Sequence, residues 1–185
     1  MSKVALVLLV GCLLGTQADG RQESGQGPPT PPPSVPDNYA FLYASGRARM
    51  ESWPAAQQAI PVVLITISRR GCFGTCPIYV ASLRSDGAAT FNGGRNAPRT
   101  GTYVGKAYFG DFARLALFVE QSGFMQLQSR YTAPGTDQET VVVSITMRDG
   151  TTKEVSNYGR FGPPNLWILE RAIDAVIGDI EWKRS

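Results

Sequence analysis

Two cysteines separated by three residues lie in the segment Gly71-Cys72-Phe73-Gly74-Thr75-Cys76-Pro77. Thiols this close can form a small disulfide ring, a redox-active dithiol or part of a metal site. In an oxidising compartment a structural Cys72–Cys76 disulfide is favoured, because Gly71 and Gly74 allow a tight loop. Thioredoxin-like pairs have two intervening residues before a helix, whereas here three intervene and a strand is predicted to follow. A thiol–disulfide redox protein using Cys72 and Cys76 is therefore kept as the alternative function.

The chain contains no histidine. Serine–histidine and cysteine–histidine catalysis and zinc sites of the Cys/His type are thereby excluded. No metal and no cofactor are predicted, and two thiolates alone are a weak metal site. A hydrolase built from carboxylates and tyrosines such as Asp137, Tyr131 and Tyr158 is a weaker candidate, since no paired-carboxylate spacing singles these residues out. We therefore expect a non-enzymatic binding or structural domain.

Positive charge is concentrated around the cysteine motif. The whole chain has a formal net charge of +3, which is too small to indicate nucleic-acid binding. Residues 60–110, however, contain six basic side chains and Asp86 as their only acidic one. Glycine-rich turns can direct backbone N–H groups at an anion, so Arg69, Arg70, Gly71 and Gly74 are the predicted anion-binding residues. Their expected partner is an anionic envelope component or another envelope protein, and the alternative is a set of solvated arginines at strand ends.

The N-terminus is typical of an export signal. Lys3 precedes an apolar run over residues 4–14, which is shorter than a membrane span, and small residues end at Ala18. This pattern predicts a signal peptide over residues 1–18. The alternative is a lipoprotein signal over residues 1–11, because residues 9–12 resemble a lipobox in which Cys12 would become the lipid anchor. Both interpretations place the mature protein in the periplasm or cell envelope, and the second predicts an outer-membrane lipoprotein that contacts the membrane only through its anchor.

Composition divides the remaining chain into three parts. Residues 19–36 are rich in proline and glycine and predict a disordered, semi-rigid spacer. Residues 37–59 predict a short helical or irregular lead-in, with Asp37 capping a helical segment over residues 38–51. Residues 60–185 are long enough for a single domain with one core.

Hydrophobic patterns in this domain predict strands over residues 61–68, 78–84, 88–91, 140–147 and 151–158, with a loop over residues 92–102. One helix is predicted after Asp111, which would cap it, and a second begins at Pro163-Pro164. The turns Asp86-Gly87 and Asp149-Gly150 make hairpins. The expected fold is α+β, with an antiparallel sheet of about five strands and two helices on one face. The similar hairpins further suggest two hairpin–helix repeats.

The chain resembles a bacterial family known as domain of unknown function 6438. The resemblance is carried by the segment Cys72-Phe73-Gly74-Thr75-Cys76-Pro77, by the strand that precedes it and by the hairpin and helix that end the chain. It covers residues 60–182 and supports the predicted layout. Such a family has no established activity, so the resemblance implies no catalytic residue.

Overall fold

The computed structural model describes residues 35–43 and 54–185, whose strands form one sheet. Within these residues the sheet has eight strands in the order β5-β7-β6-β1-β2-β3-β4-β8. All neighbours are antiparallel except β5 and β7, which are parallel. The strands are β1 (Val62–Arg70), β2 (Tyr79–Arg84), β3 (Ala88–Gly93), β4 (Gly101–Lys106), β5 (Arg130–Thr132), β6 (Thr140–Met147), β7 (Thr152–Tyr158) and β8 (Lys183–Arg184).

Two main helices accompany the sheet, α1 (Phe109–Gln121) and α2 (Pro164–Asp179). Shorter helical turns are found at Asp37–Tyr43, at residues 54–59 and at Phe124–Gln126. None of the helices in the described part of the chain is both long and apolar enough to cross a membrane.

The α+β class is confirmed, whereas two details of the predicted sheet were wrong. The sheet has eight strands rather than about five, and the parallel β5–β7 pair makes it mixed rather than antiparallel. Strands β5 and β8 have three and two residues, which is too short for a hydrophobic period to be visible. Strand β4 contains two glycines, and a Cβ atom on Gly105 would lie only 2.5 Å from the Ile180 side chain. Close packing therefore requires glycine at this position, and the glycines interrupt the apolar alternation from which a strand is predicted.

The two Asp-Gly turns form hairpins for the same local reason. Asp86 accepts a hydrogen bond from the backbone N–H of Ala88, and Asp149 accepts one from that of Thr151. Gly87 and Gly150 both have a φ of +87°, a conformation that glycine adopts without steric cost. After β3, however, the chain forms β4 before α1, whereas β7 leads directly into α2. The two hairpin–helix repeats therefore stay a hypothesis.

Helix α1 begins two residues before the predicted cap. Tyr108 is its N-cap, and Asp111 lies in the first turn, where it accepts a hydrogen bond from Arg114 at 2.9 Å. A carboxylate in the first turn stabilises the positive end of the helix dipole without capping it. Helix α2 begins at Pro164 after Pro163, as the sequence predicts.

One hydrophobic core joins the sheet to both helices. Strand β1 directs Ile65 and Ile67 into it, because alternate residues of a strand face the same side. Both helices add apolar residues at helical spacing, namely Phe112, Leu115, Ala116 and Val119 from α1 and Leu166, Leu169, Ile173 and Ile177 from α2. This core holds α2 over the sheet, where the polar residues of α2 can reach the end of β1.

The segment before the domain is described only in part. Residues Asp37–Tyr43, at the start of the predicted helical or irregular lead-in, form a 3₁₀ helix, and Tyr39 is fully buried with its hydroxyl donating to Glu120 of α1. Val35, at the end of the predicted spacer, packs against the core. The predicted signal peptide, the candidate anchor Cys12 and most of the spacer lie outside the described residues.

Candidate functional site

The cysteine motif forms a closed loop between β1 and β2. Cys72 and Cys76 are joined by a disulfide, as the motif predicts, with their Cα atoms 5.6 Å apart. Asn96, on the connection between β3 and β4, donates its amide to the carbonyl oxygens of Gly74 and Cys76, each at 3.4 Å. Asn96 has a φ of 61°, a left-handed conformation that asparagine tolerates better than most residues. The loop is therefore held both by its own disulfide and by the neighbouring connection.

Arg69, the penultimate residue of β1, is buried in an ion-pair network below this loop. Its guanidinium donates to Glu139 at 3.0 Å and to the Tyr79 hydroxyl at 3.1 Å, and it forms a second ion pair with Asp174 of α2. Burial alone lowers the pKa of Arg69, but the hydrogen bond and charge of Asp174 outweigh that effect and raise it. The Tyr79 hydroxyl also donates to Asp174, and burial followed by this hydrogen bond raises its pKa. Arg69 is thus a charged link between sheet and helix.

A buried carboxyl lies one helical turn before Asp174. Glu170 is 3% exposed and accepts a hydrogen bond from the Asn157 amide at 2.9 Å. Burial raises the pKa of Glu170 to about 7, although the Asn157 hydrogen bond and the Arg69 charge lower it. Glu170 and Asp174 are one helical turn apart among the apolar residues of α2, which brings their carboxyl groups to the same face of the helix.

An open cleft of about 490 Å³ lies above Arg69. It is bounded by the disulfide loop, by the β3–β4 connection and by α2. Its lining includes four arginines and two carboxylates, namely Arg69, Arg99, Arg160, Arg171, Glu139 and Asp174. In the described part of the chain only Arg69 among these arginines has a carboxylate within 4.0 Å. The cleft therefore contains three cationic groups without an acidic partner among the described residues.

Arg99 is held in the cleft by aromatic rings. Its guanidinium carbon lies 5.4 Å from the ring centre of Phe91, 6.0 Å from that of Tyr103 and 5.6 Å from that of Trp182. The ring faces attract the cation and orient its planar group, while its N–H donors stay available. Phe91 also stacks on Tyr79 at 5.1 Å, which connects Arg99 to the Arg69 network.

A smaller depression of about 230 Å³ adjoins the disulfide. Both cysteines line it together with Asp137, and it shares Cys76, Glu139 and Arg160 with the larger cleft. Cys76 of the disulfide thus lines both hollows.

The four predicted anion-binding residues do not converge on one point. Arg69 faces the interior and is paired with two carboxylates, whereas Arg70, the next residue along β1, is exposed. Gly71 lies against the Ile78 side chain, and Gly74 donates its N–H to the Cys72 carbonyl at 2.9 Å. Anion binding by these residues stays a prediction, as does the thiol–disulfide alternative.

The tyrosines and aspartate of the weaker hydrolase candidate are in separate surroundings. Tyr158 donates to the Gly135 carbonyl and accepts from the Gln138 N–H, whereas Tyr131 accepts from the Gln128 N–H. Only Asp137 lines the depression beside the disulfide. The described residues hold no group of three or more cysteine or carboxylate side chains suited to a metal ion.

Most of the cleft was not predicted from the sequence. The predicted basic segment includes Arg99, but Arg160, Arg171 and Asp174 were not among the candidate residues, since they lie far from the cysteine motif along the chain. The one available signal was a pair of acidic residues, Glu170 and Asp174, among the apolar positions of α2. Acidic residues are rarely buried without a partner, so this pattern indicates a charged group opposite the helix.

The fold and the cleft together define an α+β domain with a disulfide-walled, arginine-lined hollow. The chain belongs to the family described as domain of unknown function DUF6438, which it matches over residues 63–177. The match spans nearly all of β1, the cysteine motif and nearly all of α2, so the resemblance noted from the sequence is confirmed. None of the curated proteins compared matches the chain.

Proposed function

We propose that this domain binds an anionic ligand in the cleft between the disulfide loop and α2. The observation that carries the proposal is the presence of Arg99, Arg160 and Arg171 around one hollow, with no carboxylate of the described residues within 4.0 Å of them. Clefts lined by one sign of charge concentrate ligands of the opposite sign. An anionic envelope component or an acidic segment of another envelope protein would meet this requirement.

Three of the four arginines that line the cleft are available to a ligand. Glu139 and Asp174 neutralise Arg69 at the floor of the cleft, so Arg69 has a structural role and the ligand binds the arginines above it. Arg99 is the central contact, because it is only half-buried and already oriented by three rings. Arg160 and Arg171 are exposed and would contact the ligand at the edge of the cleft.

The disulfide contributes to the binding site by fixing its shape, and it undergoes no redox chemistry there. Cys76 and Pro77 form one wall of the cleft. Asn96 also lines the cleft and holds the disulfide loop through two hydrogen bonds. A covalent ring fixes the position of this wall before the ligand arrives. Binding to a preformed site loses less conformational entropy than binding to a mobile loop.

Replacing Arg99 by alanine should weaken anion binding by about 10- to 100-fold, since a hydrogen bond to a charged group contributes about 1.5–3 kcal/mol. Arg99→Lys should also weaken binding, because lysine keeps the charge but lacks the planar fork that stacks on the rings. Isothermal titration with inorganic phosphate and with citrate measures both effects.

Arg130→Ala is the matched control, since Arg130 is exposed on β5 and does not line the cleft. This variant removes the same charge and should leave the dissociation constants unchanged. Equal weakening by Arg99→Ala and Arg130→Ala would indicate a general charge effect and contradict a site at Arg99. Absence of phosphate and citrate binding to the unmodified chain would argue against the proposed function itself.

We also propose that the protein is exported and acts in the periplasm or cell envelope. The N-terminal pattern and the disulfide support this, because disulfides persist outside the cytoplasm. Intact-mass measurement of the protein made in a bacterial host should give a chain that begins at Asp19 with Cys72 and Cys76 oxidised. An acylated chain beginning at Cys12 would instead favour the lipoprotein alternative. An unprocessed chain in the cytoplasm with free thiols would contradict export.

A further inference from the structure

A group of large apolar side chains is exposed next to the arginine cleft. Phe73 is 89% exposed, Phe161 59%, Ile168 52% and Trp167 43%. We call these four residues the apolar rim. They are four of the seven large apolar side chains that are exposed in the described part of the chain. Scattered apolar residues need no explanation, but a contiguous group of them marks an interaction surface.

Hydrogen bonds connect the segments that carry the rim. Trp167 donates its indole N–H to the carbonyl of Gly162, the residue after Phe161, at 3.2 Å. On the other side, the backbone N–H of Phe73 donates to the backbone carbonyl of Asp137, which lines the same depression as Arg160. The rim therefore runs from the disulfide loop, past the chain that precedes α2, to the first turns of α2.

Two unpaired arginines lie along this rim. Arg160 directly precedes Phe161, and Arg171 follows Ile168 by three residues and Trp167 by four. Residues three and four apart share one face of a helix, so Trp167, Ile168 and Arg171 point in similar directions. Among the described residues no carboxylate lies within 4.0 Å of Arg160 or Arg171.

We propose that the apolar rim, with Arg160 and Arg171, docks onto an anionic lipid bilayer. Tryptophan and phenylalanine are favoured at the boundary between headgroups and acyl chains, and arginines beside them are attracted by anionic headgroups. A bilayer offers an apolar layer and negative charge on one surface, which matches the mixture present here. This inference goes beyond the proposed ligand site and does not depend on it.

Depth-dependent quenching tests the docking surface directly. The full chain is mixed with vesicles of phosphatidylglycerol and phosphatidylcholine whose acyl chains carry bromine, which quenches nearby tryptophan. The unmodified chain should be quenched, and Trp167→Phe should remove at least about half of that quenching, because Trp167 is the tryptophan on the rim. The N-terminal apolar run is common to both proteins, so a difference between them reports on the rim.

Ile168→Glu and Val104→Glu form a matched pair, since both side chains are about half exposed and Val104 lies on β4 away from the rim. Ile168→Glu should lower Trp167 quenching about tenfold or more, whereas Val104→Glu should leave it unchanged. Vesicles of phosphatidylcholine alone should also give much weaker quenching, because they lack the negative charge.

Three results would overturn the proposal: equal quenching of the unmodified chain and Trp167→Phe, equal effects of the two glutamate substitutions, or equal quenching by charged and neutral vesicles. Self-association of the chain that Ile168→Glu abolishes, without quenching by vesicles, would also overturn it by showing a protein interface. The test is separable from the ligand site, because Arg99→Ala should lose phosphate binding and keep vesicle quenching.

Discussion

Arg69→Ala is expected to lower the free energy of unfolding by about 3–5 kcal/mol, since removing one partner of a buried ion pair leaves an uncompensated buried charge. Asp174 and Glu139 both accept from the Arg69 guanidinium, and both are largely buried. Without Arg69 the two carboxylates would repel each other in a site that water reaches poorly. Urea denaturation of the variant and of the unmodified chain measures the loss.

Arg70→Ala is the control for this substitution. Arg70 is the next residue on β1, and its side chain is exposed. Replacing it by alanine removes the same charge as Arg69→Ala. Its replacement should change the free energy of unfolding by less than about 0.5 kcal/mol. A loss below about 1 kcal/mol for Arg69→Ala would show that the network does not hold α2 on the sheet.

Glu170 should make the stability of the domain fall as the pH rises. Burial raises its pKa from 4.5 to about 7 in the folded chain. Below pH 4.5 the carboxyl is protonated in both the folded and the unfolded chain, so Glu170 causes no loss of stability there. Between pH 4.5 and 7 the unfolded chain loses the proton first, so stability falls by about 1.4 kcal/mol per pH unit. Above pH 7 the loss is complete at about 3 kcal/mol.

Glu170→Gln should abolish this pH dependence, because glutamine does not ionise and its carbonyl can still accept the Asn157 hydrogen bond. We expect the variant to match the unmodified chain near pH 4.5 and to be more stable by up to about 3 kcal/mol at pH 8. Urea denaturation across this range measures the difference. Glu154→Gln, at an exposed position on β7, should show no such divergence. A Glu170→Gln difference that stays constant with pH would contradict a raised pKa.

Local signals were sufficient for most of the individual elements. Strand β6 was predicted over residues 140–147 and is found there, because Val141, Val143 and Ile145 alternate with polar or less buried positions. The Asp-Gly turns and the start of α2 depend on the residues at those positions. The Cys72–Cys76 pairing is equally local, since the two cysteines are only four positions apart in the chain.

Only the tertiary structure decided the strand order, the parallel β5–β7 pair and the cleft. Arg69 meets Asp174 across 105 residues of chain, and Arg99 and Arg171 reach the same hollow from different elements. Hydrophobic periodicity shows which side of a segment is buried but not which segment covers it. Arg69 shows the consequence: its sequence position suggested a free cation for a ligand, whereas Asp174 of α2 and Glu139, the residue before β6, form ion pairs with it in the folded chain. The partner of a charged side chain is set by long-range packing, which a pattern along the chain does not record.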